Sequence, residues 1–367
     1  MKSRSLPPRS MHGMSLVELM VAITIGLIIL AAISTILVNS RTNYATQESI
    51  ARLQESGRIA MQLIARDLRL AGYYGCADDT QKMNTVLQST AGVAFNYSVF
   101  VEGVEGNGAV LLPSNTSVTF PTAGTAVTSR EPACPNFIGG KCQGTDAIAL
   151  RMSDPASRVL LASTMLSETA AMTISTNGFN VGDVVVVSDC GSADLVQITG
   201  ITGASSTFSL AHIPFSGSAA TPGNSNPAAL SRPYGVPFGQ ITRYDNRIYY
   251  VGTGTSGYPA LFRQRIDGAG VPEELIEGIQ DMEIWYGLAL ASAFPDRTPR
   301  SYVPANDATL NTVINASTGE TNWTNVVSTR IEFMSIPMNT TNPSAVNAST
   351  PVQPKQFTST ILLRNAQ

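Results

Sequence analysis

Gly252-Thr253-Gly254-Thr255-Ser256-Gly257 spells G-x-G-x-x-G, the run that lets a backbone approach a pyrophosphate at the start of a helix. The next residues, Tyr258-Pro259-Ala260-Leu261-Phe262-Arg263, read as a strand and not a helix, so a hairpin loop is expected. Only two histidines occur, His12 and His212, which leaves little material for general acid–base work. His212 sits in LAHIPF between apolar neighbours, where a packed imidazole is the ordinary outcome. No serine lies in a G-x-S-x-G elbow. The sequons, such as Asn96-Tyr97-Ser98, carry no meaning in a bacterial host. Cys76, Cys134, Cys142 and Cys190 make an even set without any Cys-x-x-Cys pair or nearby histidine, so disulfides are expected before zinc. Three connectivities are possible. Cys134 and Cys142 close a short Pro/Gly loop, ACPNFIGGKC, which favours that bridge; Cys76 with Cys190 would then tie a helix exit to a strand end. No catalytic residue, metal ligand or cofactor is expected. One chemically loaded residue remains: Glu18, the single charge in residues 14–38.

The elements that position these residues begin with that apolar run. Residues 1–13, MKSRSLPPRSMHG, carry Lys2, Arg4 and Arg9 and no acid. Residues 14–38, MSLVELMVAITIGLIILAAISTILV, would form a helix of roughly 37 Å, enough to cross a hydrocarbon core of about 30 Å. Basic residues on the leading side put the N-terminus in the cytoplasm and export the rest. A secretory signal has a shorter apolar region followed by a small-residue cleavage site, whereas here the small residue, Gly13, comes first. From 39 to 71 there is no proline and one glycine, and Ile50, Leu53, Gly57, Ala60, Ile64, Leu68 and Ala71 recur at three- and four-residue spacing. Arg41, Glu48, Arg52, Glu55, Arg58, Arg66, Asp67 and Arg69 are assigned to the opposite, solvated face. Gly72-Tyr73-Tyr74-Gly75 stops the helix.

The rest is β-rich. Strands are expected at 145–152, 181–187, 195–199, 240–244, 247–251, 260–266, 281–286, 328–336 and 357–363, with a hairpin turn at Asp245-Asn246. Gly-, Pro-, Ser- and Asn-rich stretches at 216–227 and 338–354 separate them, and a division into two lobes at the first is the alternative to one unit. Of all residues 43% are hydrophobic and only 13% charged, which excludes general disorder. Net charge is −3, against the basic surface that a sequence-independent grip on nucleic acid needs, so no direct nucleic-acid binding is expected.

Gly13-Met14-Ser15-Leu16-Val17-Glu18 resembles the type IV prepilin motif: glycine before the cut, an apolar first mature residue, and glutamate at the fifth. Met14 departs from the usual Phe. The resemblance implies cleavage by a prepilin peptidase between Gly13 and Met14, N-methylation of Met14, and a role for Glu18 in assembly. A carboxylate at mid-bilayer costs about 2.5–3.5 kcal/mol, but Glu18 lies only about 6 Å along the helix from Met14 and can stay near the headgroups. In the packed fibre it would need a positive partner, which in this family is thought to be the N-terminal amine of a neighbouring subunit.

Beyond the leader, RDLRLAGYYGC, VVVVSDCGSADLVQITG, RIYYV, LFRQRI, EGIQDMEIWYG, VVSTRIEFMSI and FTSTILLRN are similar to PilW-type minor pilins. The expected fold is α+β and pilin-like: a leader at 1–13, an assembly and membrane helix at 14–38, its amphipathic continuation at 39–71, and an exported domain with a mainly antiparallel sheet at 72–367. The implied role is a structural subunit, not an enzyme. It would prime a type IV pilus used for adhesion, twitching motility or DNA uptake, and would form its tip. The implied partners are other minor pilins, the major pilin and the inner-membrane assembly platform. The expected path runs from inner membrane, with the C-terminal domain periplasmic, to the cell surface. The alternative is a minor pseudopilin of a type II secretion system, whose counterparts tend to be smaller.

Overall fold

The structure, a computed structural model, describes residues 15–76, 83–88, 95–104, 145–217, 222–265, 271–289, 298–310, 312–315, 320–338 and 353–365. One helix, α1, spans Leu16–Leu70, 55 residues with no proline and only Gly26 and Gly57 as glycines. It stops where Gly72 takes a φ of +75°, a conformation a side chain resists. There Gly72 donates its N–H to the Arg151 carbonyl at 2.9 Å, and Asn365 Nδ2 donates to the Ala71 carbonyl at 3.0 Å. The helix end is therefore closed by the sheet and by the C-terminal segment.

The chain forms two compact units, Met1–Ala51 and Arg52–Gln367. In the first, every described side chain through residue 39 is exposed, including the whole apolar run. That run is long and apolar enough to cross a membrane. In the second, Leu53, Ser56, Gly57, Ala60, Ile64, Ala65, Asp67 and Leu68 are buried along one helix face. Two sequence assignments change here. Ile50, counted in the apolar stripe, is 38% exposed, and Asp67, counted in the solvated face, is 2% exposed.

The strands, in chain order, are β1 (Met83–Thr85), β2 (Val101–Val104), β3 (Ala147–Leu160), β4 (Met172–Ile174), β5 (Val184–Asp189) and β6 (Ser192–Gln197). Then come β7 (Gly200–Ala204), β8 (Thr207–Ala211), β9 (Phe215–Ser216), β10 (Gly223–Asn224), β11 (Gln240–Thr253), β12 (Pro259–Arg265) and β13 (Glu273–Glu277). The last are β14 (Ile279–Leu288), β15 (Ser301–Pro304), β16 (Val313–Asn315), β17 (Glu320–Thr321), β18 (Val326–Ser335) and β19 (Lys355–Leu362). An eight-stranded sheet runs β1-β6-β5-β11-β12-β13, with β3 also on β11 and β2 on β3. A four-stranded sheet runs β15-β14-β18-β19, and a three-stranded one β4-β8-β7. The β1–β6 pair is parallel; the other described pairs are antiparallel. The fold is α+β and pilin-like, a long apolar N-terminal helix with a mainly antiparallel domain.

Alternation explains what each sheet buries. Met282, Ile284 and Tyr286 of β14, Ile331 and Phe333 of β18, and Ile361 of β19 join Ala60, Ile64 and Leu68 in the main core. β5 reads VVVVSD because both its faces are covered: Val185 and Val187 enter one core, Val184 and Val186 another. The turn expected at Asp245-Asn246 is absent. β11 runs straight through it, with Asp245 opposite Met152 and Asn246 opposite Arg151 on β3. A buried neighbouring strand and the Asp245–Arg247 ion pair, 2.5 Å, hold extended a dipeptide that would otherwise favour a turn.

Candidate assembly site

Glu18 stands in the first turn of α1 and is exposed. Its Oε2 accepts from the Ser15 backbone N–H at 3.4 Å, while Leu19 N–H donates to the Ser15 carbonyl at 3.0 Å. A carboxylate here lies beside the first-turn amides, which have no partner within the helix. Around it Leu16, Val17, Leu19, Met20 and Val21 all point into solvent. Gly13 and Met14, the expected cleavage and methylation positions, lie outside the described residues.

The other end of the helix is fixed by charge. Asp67 accepts from Arg247 Nη1 at 2.5 Å and from the Tyr249 hydroxyl, with Arg263 Nη1 3.9 Å away. Arg247 is shared with Asp245 on its own strand, and Arg263 with Glu273 at 2.6 Å. Burial opposes the charge on Arg247, but Asp245 and Asp67 outweigh it and raise its pKa. Burial, then the Asp67 charge, likewise keeps the Tyr249 hydroxyl protonated and donating. The sequence carried a signal for this site. Position 67 falls seven after Ala60 and three after Ile64, on the apolar stripe, so its carboxylate had to meet a partner underneath.

Two more contacts tie the helix down. Gly57 has no side chain where the Phe357 ring sits: a Cβ there would come within 2.3 Å of Cε2. Cys76, six residues past the helix, is bridged to Cys190 in the turn between β5 and β6. Cys134 and Cys142, the other expected pair, lie outside the described residues.

The remaining motifs are structural. The glycine run is the turn between β11 and β12: Gly254 N–H donates to the Tyr258 carbonyl at 2.7 Å, and Glu274 accepts from Thr255 N–H at 2.9 Å. A strand succeeds it, so no helix start is presented to a phosphate. His212 is 2% exposed, with its ring nitrogens 3.1 Å from the Ala228 carbonyl and 2.9 Å from that of Ala170. Among the described residues no group of three or more His, Cys, Asp or Glu side chains could hold a metal ion.

Residues 248–365 match the family model described as Type IV Pilus-assembly protein W, and residues 8–34 match the Prokaryotic N-terminal methylation motif. The first match takes in Tyr249 and Arg263 of the Asp67 network, Phe357 and Asn365. The second takes in Gly13, Met14 and Glu18. No curated protein and no solved structure matches the chain.

Proposed function

We propose that this chain is a PilW-type, prepilin-like minor pilin of the type IV pilus, which primes fibre assembly and stays at the fibre tip; the two family matches support the pilin reading. Pilins are structural subunits, and the N-terminal helix anchors the chain in a membrane. In this reading a prepilin peptidase cuts after Gly13, and Met14 becomes the methylated N-terminus. The leader stays cytoplasmic and the β-rich unit is periplasmic until the assembly platform draws the subunit into the fibre. Glu18 then pairs with the terminal amine of a neighbouring pilin as both leave the lipid.

One observation carries this reading. Glu18, within the methylation-motif match, stands in the first turn of a helix whose apolar side chains are all exposed through Val38. Side chains between 53 and 68 of the same helix are buried in a core, and this contrast supports the reading. A helix of that kind has one end free to pack with other subunits and one end committed to its own domain. Glu18→Ala supplies the test. Removing the carboxylate leaves membrane insertion intact or slightly favoured. It also strands a neighbour's amine in the packed fibre, at a cost of about 3–5 kcal/mol. The variant is expected to be inserted and cleaved normally, yet to fail to co-purify with partner pilins and to lower the number of surface fibres. Assembly at the wild-type level would remove Glu18 from the mechanism.

A further inference from the structure

Among the described residues β19 is the longest strand at a sheet edge. An edge strand leaves a row of N–H and C=O groups unpaired, and proteins blunt such edges by shortness, bulges, charges or proline. β1 has three residues, β2 four, and β15 four ending in Pro304. β13 carries three glutamates in EELIE and pairs with a register shift at Leu261/Phe262. β19, KQFTSTIL, pairs with β18 over eight residues without a shift, and its one charge is Lys355.

Its open side can be assigned residue by residue. Leu363 N–H donates to the Val327 carbonyl at 3.0 Å, continuing the β18–β19 register. Backbone groups alternate along an antiparallel strand, so those of Phe357, Ser359 and Ile361 also face β18. Those of Gln356, Thr358, Thr360 and Leu362 face outward. The outer row is accessible: all four residues are exposed, Leu362 at 60%.

Beside this edge, between it and α1, lies an open groove of about 340 Å³ lined by Gln54, Arg58, Met61, Gln62, Lys355 and Phe357. Its charges are both positive. Arg58 is paired along the helix with Glu55 at 2.9 Å, an exposed pair of little strength. Lys355 Nζ lies 5.5 Å from the Phe357 ring centroid and meets no carboxylate among the described residues.

The geometry points to β19 as a docking edge for an extended, acidic segment of a different protein chain. The added strand takes its main-chain bonds from Gln356, Thr358, Thr360 and Leu362. Alternate side chains on its helix-facing side enter the groove, a carboxylate against Lys355 and an apolar group against Met61 and Phe357. A second copy pairing β19 against β19 fits poorly, because that strand has no acid to offer. That the donor is another pilus subunit rests on the proposed minor-pilin role; the edge and its charge preference do not.

The test uses the full chain in detergent and short synthetic peptides of alternating Val and Thr, one with a central Glu and one with a central Lys, with binding read by fluorescence anisotropy. The Glu peptide is expected to bind about fivefold tighter than the Lys peptide. Thr360→Pro removes an outward N–H from an edge strand, where proline is tolerated, and should abolish binding. Lys355→Glu, an exposed surface change, should reverse the peptide preference without touching the fold. The assignment is overturned if neither peptide binds, if Lys355→Glu leaves the preference unchanged, or if Thr360→Pro binds like wild type. Concentration-dependent dimerisation that Thr360→Pro abolishes would overturn it in favour of self-pairing. Each of these outcomes is independent of fibre entry in the Glu18→Ala strain.

Discussion

Asp67 concentrates the cost of the helix–sheet junction in one side chain. It is nearly fully buried and shares its carboxylate between Arg247 and the Tyr249 hydroxyl. Asp67→Ala leaves the Tyr249 donor buried without an acceptor, while Arg247 keeps Asp245, so a loss of about 3 kcal/mol is expected. Urea unfolding of the β-rich domain measures it, and Asp67→Asn should recover part. Asp281 behaves in the opposite sense. It is 6% exposed, and burial, then the nearby Glu283, pushes its pKa up to about 7. Glu283 is itself raised by burial and by Glu332, which stands directly across the β14–β18 ladder. Arg330 meets Glu332 at 2.6 Å and Gln356 donates to it, so the remaining repulsion falls on Asp281 and Glu283. A carboxyl raised on folding binds its proton more tightly in the native state. Its contribution is therefore complete below the unfolded value near 4 and is lost as pH rises through about 7. Asp281→Asn should be more stable than wild type at about pH 8, by at most about 4 kcal/mol, with the gap closing toward about pH 4. Chemical denaturation of both proteins across that range checks the sign.

At the scale of elements, the junction is a helix end held by a bridge. Cys76 leaves the helix stop and is bonded to the β5–β6 turn, closing a loop between positions 114 apart in sequence. Cys76→Ser should lower the stability of the β-rich domain by roughly 2–5 kcal/mol. A non-reducing digest should recover the Cys76–Cys190 peptide pair. How legible these elements are depends on what sets each one. α1 is plain because its period is local: no proline from 16 to 70, and apolar residues at three- and four-residue steps. β12, β14, β18 and β19 are plain because each is a short β-rich run bounded by turn residues. β3 is legible only in its first half. Ser153 to Leu160 is polar and contains Pro155, and it is held as strand by β11 alongside. The same long-range pairing overrides the Asp245-Asn246 turn. Tertiary partners decide such segments, and a single sequence does not contain them in readable form. Asp67 misleads for a related reason: its charge argues for the solvated face, whereas its place in the helical period puts it on the buried one.

For the whole molecule, the proposed processing would change both mass and charge. Loss of residues 1–13 removes Lys2, Arg4 and Arg9 and takes the net formal charge from −3 to −6 (−3 less three positive charges). Intact-mass analysis of protein from peptidase-positive cells should find Met14 first and one methyl group added; an uncut chain would refute the cleavage. The same molecule has a mechanical property that arises from the Cys76–Cys190 bond. In the proposed fibre role tension runs along the helix, and a load entering at the helix end and leaving anywhere beyond Cys190 crosses the covalent bond. The stretch between the two cysteines, which are 114 apart in sequence, is then bypassed. Under reducing conditions that hidden length, about 380–410 Å of fully extended chain, becomes available to stretch. With the bond intact that length is withheld, so in the proposed fibre role one sulfur–sulfur bond limits how far the subunit can yield.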